Sequence, residues 1–335
     1  MYKKLHITVL VDAMEITDSD PNFETEPEIP TTEYHVIGAL RYLGHEVSIL
    51  GAISDVGQII GTLTEQEPDL VFNLTEAFQG DRGFDKNIAA LLELLDIPFT
   101  GTGSTGLMLC RDKRLCKELL SLHKIRVPRF FSIPMGKKIR IAKNASYPLV
   151  VKPTMEDSSE GISNASLVNN FEELQERARF MHERWNQPAI AEEYIDGREL
   201  YLGVLGNKKL TVLPPRECSF AYDGTNGPLL ATYRVKWNAE YRKKWNIKFG
   251  FAELDKGTLD NINHICKKVF RVLQIRDYGR IDLRLTHNNK VVILEANPNP
   301  DIAYGEEVAE AAEKSGLTYE ELIDRILHMA LLRYK

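Results

Sequence analysis

The chain has 335 residues, of which 43% are hydrophobic and 27% charged, with a net charge of −6. This balance fits a globular protein of roughly two or three domains and excludes a collagenous, low-complexity or disordered chain. The acidic excess argues against a general electrostatic grip on nucleic acid, and no apolar run approaches the ~18 residues of a membrane span. The N-terminus reads as a strand and not as a signal peptide. The four cysteines, Cys110, Cys116, Cys218 and Cys266, form no C-x-x-C pair and are expected to be reduced thiols in a cytoplasmic protein.

In chain order, residues 5–11 predict a strand and the acidic, Pro-rich stretch 12–32 a loop. A helix capped by Thr32 runs to Leu43, where Gly44 stops it. Strands at 47–50, 70–74 and 97–100 alternate with helices at 55–64 and 84–95, which implies a parallel sheet with helices on its faces. A second region opens with a helix at 112–123. It continues with a strand at 148–152, a Ser/Gly loop at 157–161, a charged helix at 171–185, and strands at 190–195 and 199–205, an α+β pattern. A third region has strands at 210–213, 280–285 and 290–295, the last two joined by a turn at His287-Asn288-Asn289. The polar, Gly-rich segment 220–227 reads as a mobile loop. The tail, 304–334, is helical with a break at Ser315-Gly316, and Thr318 with Glu321 forms a capping box.

Gly101-Thr102-Gly103-Ser104-Thr105-Gly106 matches G-x-G-x-x-G, but after the fourth strand and with no acidic strand end about 20 residues later. It reads as a turn before a helix and not as a nicotinamide site.

The strongest chemical signal is Arg280-Ile281-Asp282 followed by Ile293-Leu294-Glu295-Ala296-Asn297. Strand alternation places Arg280 with Asp282, and Glu295 with Asn297, on one face each. Paired across a hairpin, these hard oxygen donors suit Mg²⁺, and the arginine suits phosphate. Lys152, at the end of an apolar strand, and the loop Asp157-Ser158-Ser159-Glu160-Gly161 point to the same chemistry, because a lysine and backbone N–H groups can cradle phosphate.

The order of these motifs resembles the ATP-grasp superfamily, in its D-alanine–D-alanine ligase-like branch, from about Leu70 to Asp301. The matching pieces are Thr100–Gly103, Asp112-Lys113, Val151-Lys152-Pro153, Ser158-Ser159-x-Gly161, Glu192–Glu199, Arg280–Asp282 and Glu295–Asn297. The resemblance implies an ATP-grasp fold of α/β and α+β type. A parallel-sheet domain (1–110) would precede a central subdomain (111–205) and a C-terminal subdomain (206–335) that clamp ATP between them. It implies phosphate-holding roles for Lys113 and Lys152, and a phosphate-covering loop with Ser158, Ser159 and Gly161. Glu192, Glu193, Tyr194 and Ile195 would form an adenine-reading hinge, and Glu199 would hold the ribose. Asp282, Glu295 and Asn297 would hold two Mg²⁺ ions, or Mn²⁺ in their place, and Arg280, Lys152 and Ser159 would serve catalysis. The implied reaction joins a small-molecule carboxylate and an amine, both of amino-acid type, through an acyl phosphate. Neither nucleic acid nor membrane is implied, and homodimers are common in the family.

The ATP half of the pattern is intact while the substrate half is rewritten. Val11–Ile16, which includes Glu15, lacks the family's first glycine-rich loop. Leu74-Thr75-Glu76-Ala77 replaces its His-Gly, and Pro298–Ala303 its carboxylate-capturing Ser-Leu. The substrates are therefore expected to differ from two D-alanines, with Glu76, Arg216, Asn299 and Asp301 beside them. Acidic Glu76 and Asp301 favour a cationic amine. A true D-alanine–D-alanine ligase with altered loops and an ATP-binding pseudoenzyme are the competing readings.

Overall fold

The computed structural model describes residues 4–12, 31–141, 145–156, 161–220, 230–232, 234–235 and 238–335. Glu15, Ser158, Ser159 and nearly all of the 220–227 segment lie outside them, so the roles expected there carry no structural description.

Three sheets organise the described chain. The first is parallel, with β1 (His6–Val11) between β2 (Glu46–Gly51) and β3 (Leu70–Asn73). Helices α1 (Thr32–Tyr42), α2 (Val56–Gln66) and α3 (Asp85–Leu94) alternate with these strands, as the apolar periodicity predicts. The cap of α1 is Thr31, whose side chain accepts from the Tyr34 N–H, one residue before the expected Thr32. The expected strand at 97–100 is only a single parallel bridge between Val71 and Phe99. Pro98 has no N–H to donate, and Gly101 turns the chain at φ +90. The segment then enters α4 (Ser104–Arg111), so the G-x-G-x-x-G stretch is a turn before a helix.

After α5 (Lys113–Leu122), a four-stranded antiparallel sheet takes the order β4-β7-β5-β6, formed by β4 (Phe130–Ile133), β5 (Leu149–Pro153), β6 (Leu167–Val168) and β7 (Ala189–Glu193), with α6 (Phe171–Trp185) against it. The third and largest sheet contains β8 (Arg198–Gly206), β9 (Leu210–Val212), β10 (Arg216–Ser219), β11 (Lys248–Phe251), β12 (Tyr278–Leu285) and β13 (Val291–Pro298). The short α7 (Ala239–Lys244) and the long α8 (Lys256–Val272) precede β11 and β12. Because β8 pairs with β12 along its length, the change of sheet falls between β7 and β8.

The C-terminal helices α9 (Glu307–Lys314) and α10 (Tyr319–Leu331) return to the first sheet. Thr318 and Glu321 form the capping box of α10, and its Leu322, Ile323, Ile326 and Leu327 pack with Ile7, Val9, Val36 and Leu40. The chain's two ends thus share one core. No helix among the described residues is long and apolar enough to cross a membrane. Replacing the fully buried Leu327 by Ala should lower the unfolding free energy by about 2–5 kcal/mol in urea titrations. An unchanged midpoint would remove α10 from this core.

Candidate active site

The polar face of the large sheet is set by strand alternation and one irregularity. On β12, Ile281, Leu283 and Leu285 join the buried core, so Arg280, Asp282 and Arg284 point the other way. On β13, Val291 and Ile293 share that core, and strict alternation would bury Glu295 with them. A β-bulge prevents this. Asp282 pairs with Glu295, but Leu283 pairs with Ile293, leaving Leu294 as the extra residue. The phase shifts, Ala296 turns to the core, and Glu295 and Asn297 face the same side as Asp282 and Arg280.

Lysines from α5 and β5 close this face. Lys117 Nζ donates to the Leu294 carbonyl (2.6 Å) at the bulge and lies 3.0 Å from Glu192 Oε1 on β7. One helical turn earlier, Lys113 lies 2.7 Å from Glu295 Oε1. Lys152 meets the other Glu192 oxygen at 3.0 Å. Burial pushes the Glu295 carboxyl up, but Lys113 and Lys152 override it and hold the group at about 2. Glu192 is held below its usual value in the same way, burial being outweighed by Lys117 and Lys152. Arg280 grips Asp282 with two hydrogen bonds (2.8 and 3.1 Å) and Glu307 with a third (3.0 Å). Glu199 accepts from the Tyr201 hydroxyl (2.8 Å) and from Arg284.

Two spaces open on this face. A narrow cleft of about 60 Å³ is lined by Lys152, Glu192, Glu193, Tyr194, Ile195, Glu199, Asp282 and Glu295. A wide cavity of about 1100 Å³ is lined by Glu76, Arg216, Arg280, Asn297, Asn299 and Asp301. The residues expected at the nucleotide and those expected at the substrates thus separate, and the β12–β13 ribbon forms a wall of both. Gly161, at φ +74, sits where a Cβ would lie 3.1 Å from Pro153 and Trp185, so only glycine fits there without strain.

Several expected roles change with the geometry. Glu192 is not a free hinge acceptor, because two lysines hold its carboxylate. Asn299 turns its amide oxygen to the Thr102 N–H (2.8 Å), which anchors the Gly101 turn. Asp301 accepts from the Thr32 hydroxyl (2.6 Å) and the Ala303 N–H (2.8 Å). Both of these bonds fall on Asp301 Oδ1 and come from neutral donors, whereas Glu76 is ion-paired with Arg82. Arg216 pairs with Glu310 and lies 5.0 Å from the centre of the Phe251 ring. Sequence reasoning missed Lys117, although it follows Lys113 by four residues on an amphipathic helix. It also missed Glu306, Glu307 and Glu310, whose signal was acid crowded into the first turn of a helix.

Residues 123–328 match the family model described as the D-ala D-ala ligase C-terminus. An uncharacterized protein of Sinorhizobium fredii is 32% identical over 89% of this chain and 87% of its own length. The chain belongs to the D-alanine–D-alanine ligase family. Members are ATP-grasp enzymes that form C–N bonds. The D-alanine–D-alanine ligase of Aquifex aeolicus is 28% identical over 87% of this chain and 92% of its own. A Bacillus anthracis ligase solved with ATP shares the fold at TM-score 0.74 and 19% identity, over 98% of both chains. The VanG D-Ala:D-Ser ligase of Enterococcus faecalis does so at TM-score 0.68 and 19% identity, over 98% of this chain and 100% of its own.

In this member of the family, Lys117→Met leaves buried Glu192 with one cation instead of two. Stability at neutral pH should fall by about 3–5 kcal/mol in denaturant titrations. The depressed Glu192 value contributes stability above the usual carboxylate range and loses it as pH falls through the folded value. The mutant's deficit should therefore shrink in acid. A deficit that stays constant with pH would contradict the pairing.

Proposed function

We propose that the chain is an ATP-dependent carboxylate–amine ligase acting through an acyl phosphate on substrates other than two D-alanines. The observation that carries this reading is the ribbon of Arg280, Asp282, Glu295 and Asn297, which walls a lysine-edged cleft on one side and a wide cavity on the other.

Glu193, Tyr194 and Ile195 would edge the adenine, and Glu199 would hold the ribose. Lys113 and Lys152 would exchange their carboxylate partners for phosphate oxygens, under a loop that includes Ser158, Ser159 and Gly161. Asp282, Glu295 and Asn297 would hold Mg²⁺, as two ions or with Mn²⁺ in their place. The donor set fits, being hard oxygen throughout. No hydrogen bond among the described residues commits the Asn297 amide oxygen, and its nitrogen is buried without an acceptor. Among the described residues, no three His, Cys or acidic side chains form a ready-made cage, and phosphate and water would have to complete the shell. Such an ion supplies neutralisation of phosphate charge.

The substrate carboxylate attacks the terminal phosphorus and ADP leaves. The amine then attacks the acyl carbon, and phosphate departs with a nitrogen proton. Arg280, paired with Asp282 and Glu307 beside the wide cavity, would meet the oxyanion charge as it develops. Glu76 and Asp301, which stand in the segments that replace the family's substrate motifs, support a different substrate pair. The competing reading, a D-alanine–D-alanine ligase, draws on the names of the relatives.

An ADP-release screen over paired D- and L-amino acids and amines, with mass spectrometry of products, tests this. ADP and an amide are expected from a pair other than two D-alanines. Efficient D-alanyl-D-alanine formation would favour the competing reading, and no release with any pair a pseudoenzyme. Glu295→Gln should lower Mg²⁺-dependent ADP formation by about 10²–10³. Near-normal turnover would remove Glu295 from the metal site.

A further inference from the structure

On β12 the alternation that carries Arg280 and Asp282 continues to Arg284, on the same polar face of the sheet. Arg284 lies directly across from Glu199 on β8, and both line the narrow cleft beside Tyr194 and Ile195. The two form an ion pair whose side chains are only 5% and 8% exposed. Arg284 also donates to the Gly197 carbonyl (2.9 Å), and its guanidinium carbon lies 5.7 Å from the centre of the Tyr194 ring. Burial acts against the charge on Arg284, but the Glu199 carboxylate outweighs it and keeps the guanidinium protonated. On the next rung of the sheet Tyr201 faces Asp282, which in turn faces Glu295. The Glu199–Arg284 pair therefore stands one rung from the carboxylates proposed to hold the metal.

Resting on the ligase reading above and on its ribose role for Glu199, we propose that Arg284 is the positioning residue that fixes Glu199 for the sugar. The fixed carboxylate selects a ribonucleotide over its 2′-deoxy counterpart. An ionised carboxylate offers about four acceptor sites. Tyr201 takes one on Oε1 and Arg284 one on Oε2, which leaves each oxygen a site for one hydroxyl of a vicinal diol.

The planar guanidinium bonds the Gly197 carbonyl through Nη1 and Glu199 through Nη2, which ties the carboxylate to the backbone turn that opens β8. It also offsets the Glu199 charge in a cleft that has to admit an anionic nucleotide. As a source of stability alone, such a buried pair gives little that two well-packed apolar side chains would not.

Calorimetric titration of the full chain with ADP or 2′-deoxyADP in the presence of Mg²⁺ tests this without the ligase substrates. Unfolded protein in a variant lowers the stoichiometry and leaves the Kd of the folded fraction unchanged. The unmodified protein should bind ADP about tenfold tighter than 2′-deoxyADP, the scale of a hydrogen bond to a charged group. Arg284→Met should erase that preference. Because it leaves a buried carboxylate unpaired, Arg284→Lys serves as the second variant; it keeps the charge but not the fork and should retain only part of the preference. In a Glu199→Gln background, Arg284→Met should change the ratio of the two Kd values no further. A preference undiminished by either Arg284 substitution, as a merely structural pair would give, overturns the proposal. So does an Arg284→Met effect on the ratio that persists beside Glu199→Gln. Equal affinity of the unmodified protein for the two nucleotides overturns it while leaving the ligase reading, judged by ADP release, in place. No binding of either nucleotide overturns both.

Discussion

Two carboxylates, one buried and one at the cleft, sit among three lysines and join the smaller antiparallel sheet to the larger one. Glu192 belongs to the small sheet and Glu295 to the large, while Lys113 and Lys117 reach them from one face of α5. Desolvating such charges is costly, and unpaired they would not remain charged in the interior. The arrangement therefore makes sense less as a source of stability than as a device for position. It holds the lysine cations at a fixed place, which suits the phosphate-holding role proposed for Lys113 and Lys152.

The bulge at Leu294 is the geometric counterpart of that charge network. A regular β13 would direct either its apolar half or its acidic half to the wrong side. With one extra residue the strand buries Val291 and Ile293, exposes Glu295 and Asn297 to the cleft, and frees a carbonyl that Lys117 occupies. The site thus stands on rigid strands rather than on loops, consistent with chemistry that needs developing charge met without reorganisation.

Much of this was legible in the sequence because strand and helix periods are local. The alternation Arg280-x-Asp282 and Glu295-x-Asn297, the capping box at Thr318, and the helix at 171–185 all read directly. What could not be read depends on partners far along the chain. Nothing in Leu294 marks it as the extra residue, and the pairing of β8 with β12 spans some eighty positions. The strand at 97–100 failed because Pro98 and Gly101 limit its ladder. Helix α8 was missed although Ile262, Cys266, Val269 and Phe270 carry the helical stripe. The pairing of Glu76 with Arg82 could not be read, since nothing in the sequence marks that arginine as its partner. Glu306 was overlooked among adjacent acids that differ only in which of them finds an arginine.

The ribbon's capacity to gather divalent cations around a nucleotide is the central claim, and metal counting tests it most directly. Mn²⁺ bound per chain can be measured by electron paramagnetic resonance with a non-hydrolysable ATP analogue, for the unmodified protein and for Glu295→Gln. The account predicts two ions per bound nucleotide, with at least one lost in the variant. A stoichiometry of one in both proteins, as the nucleotide alone would carry, would contradict it.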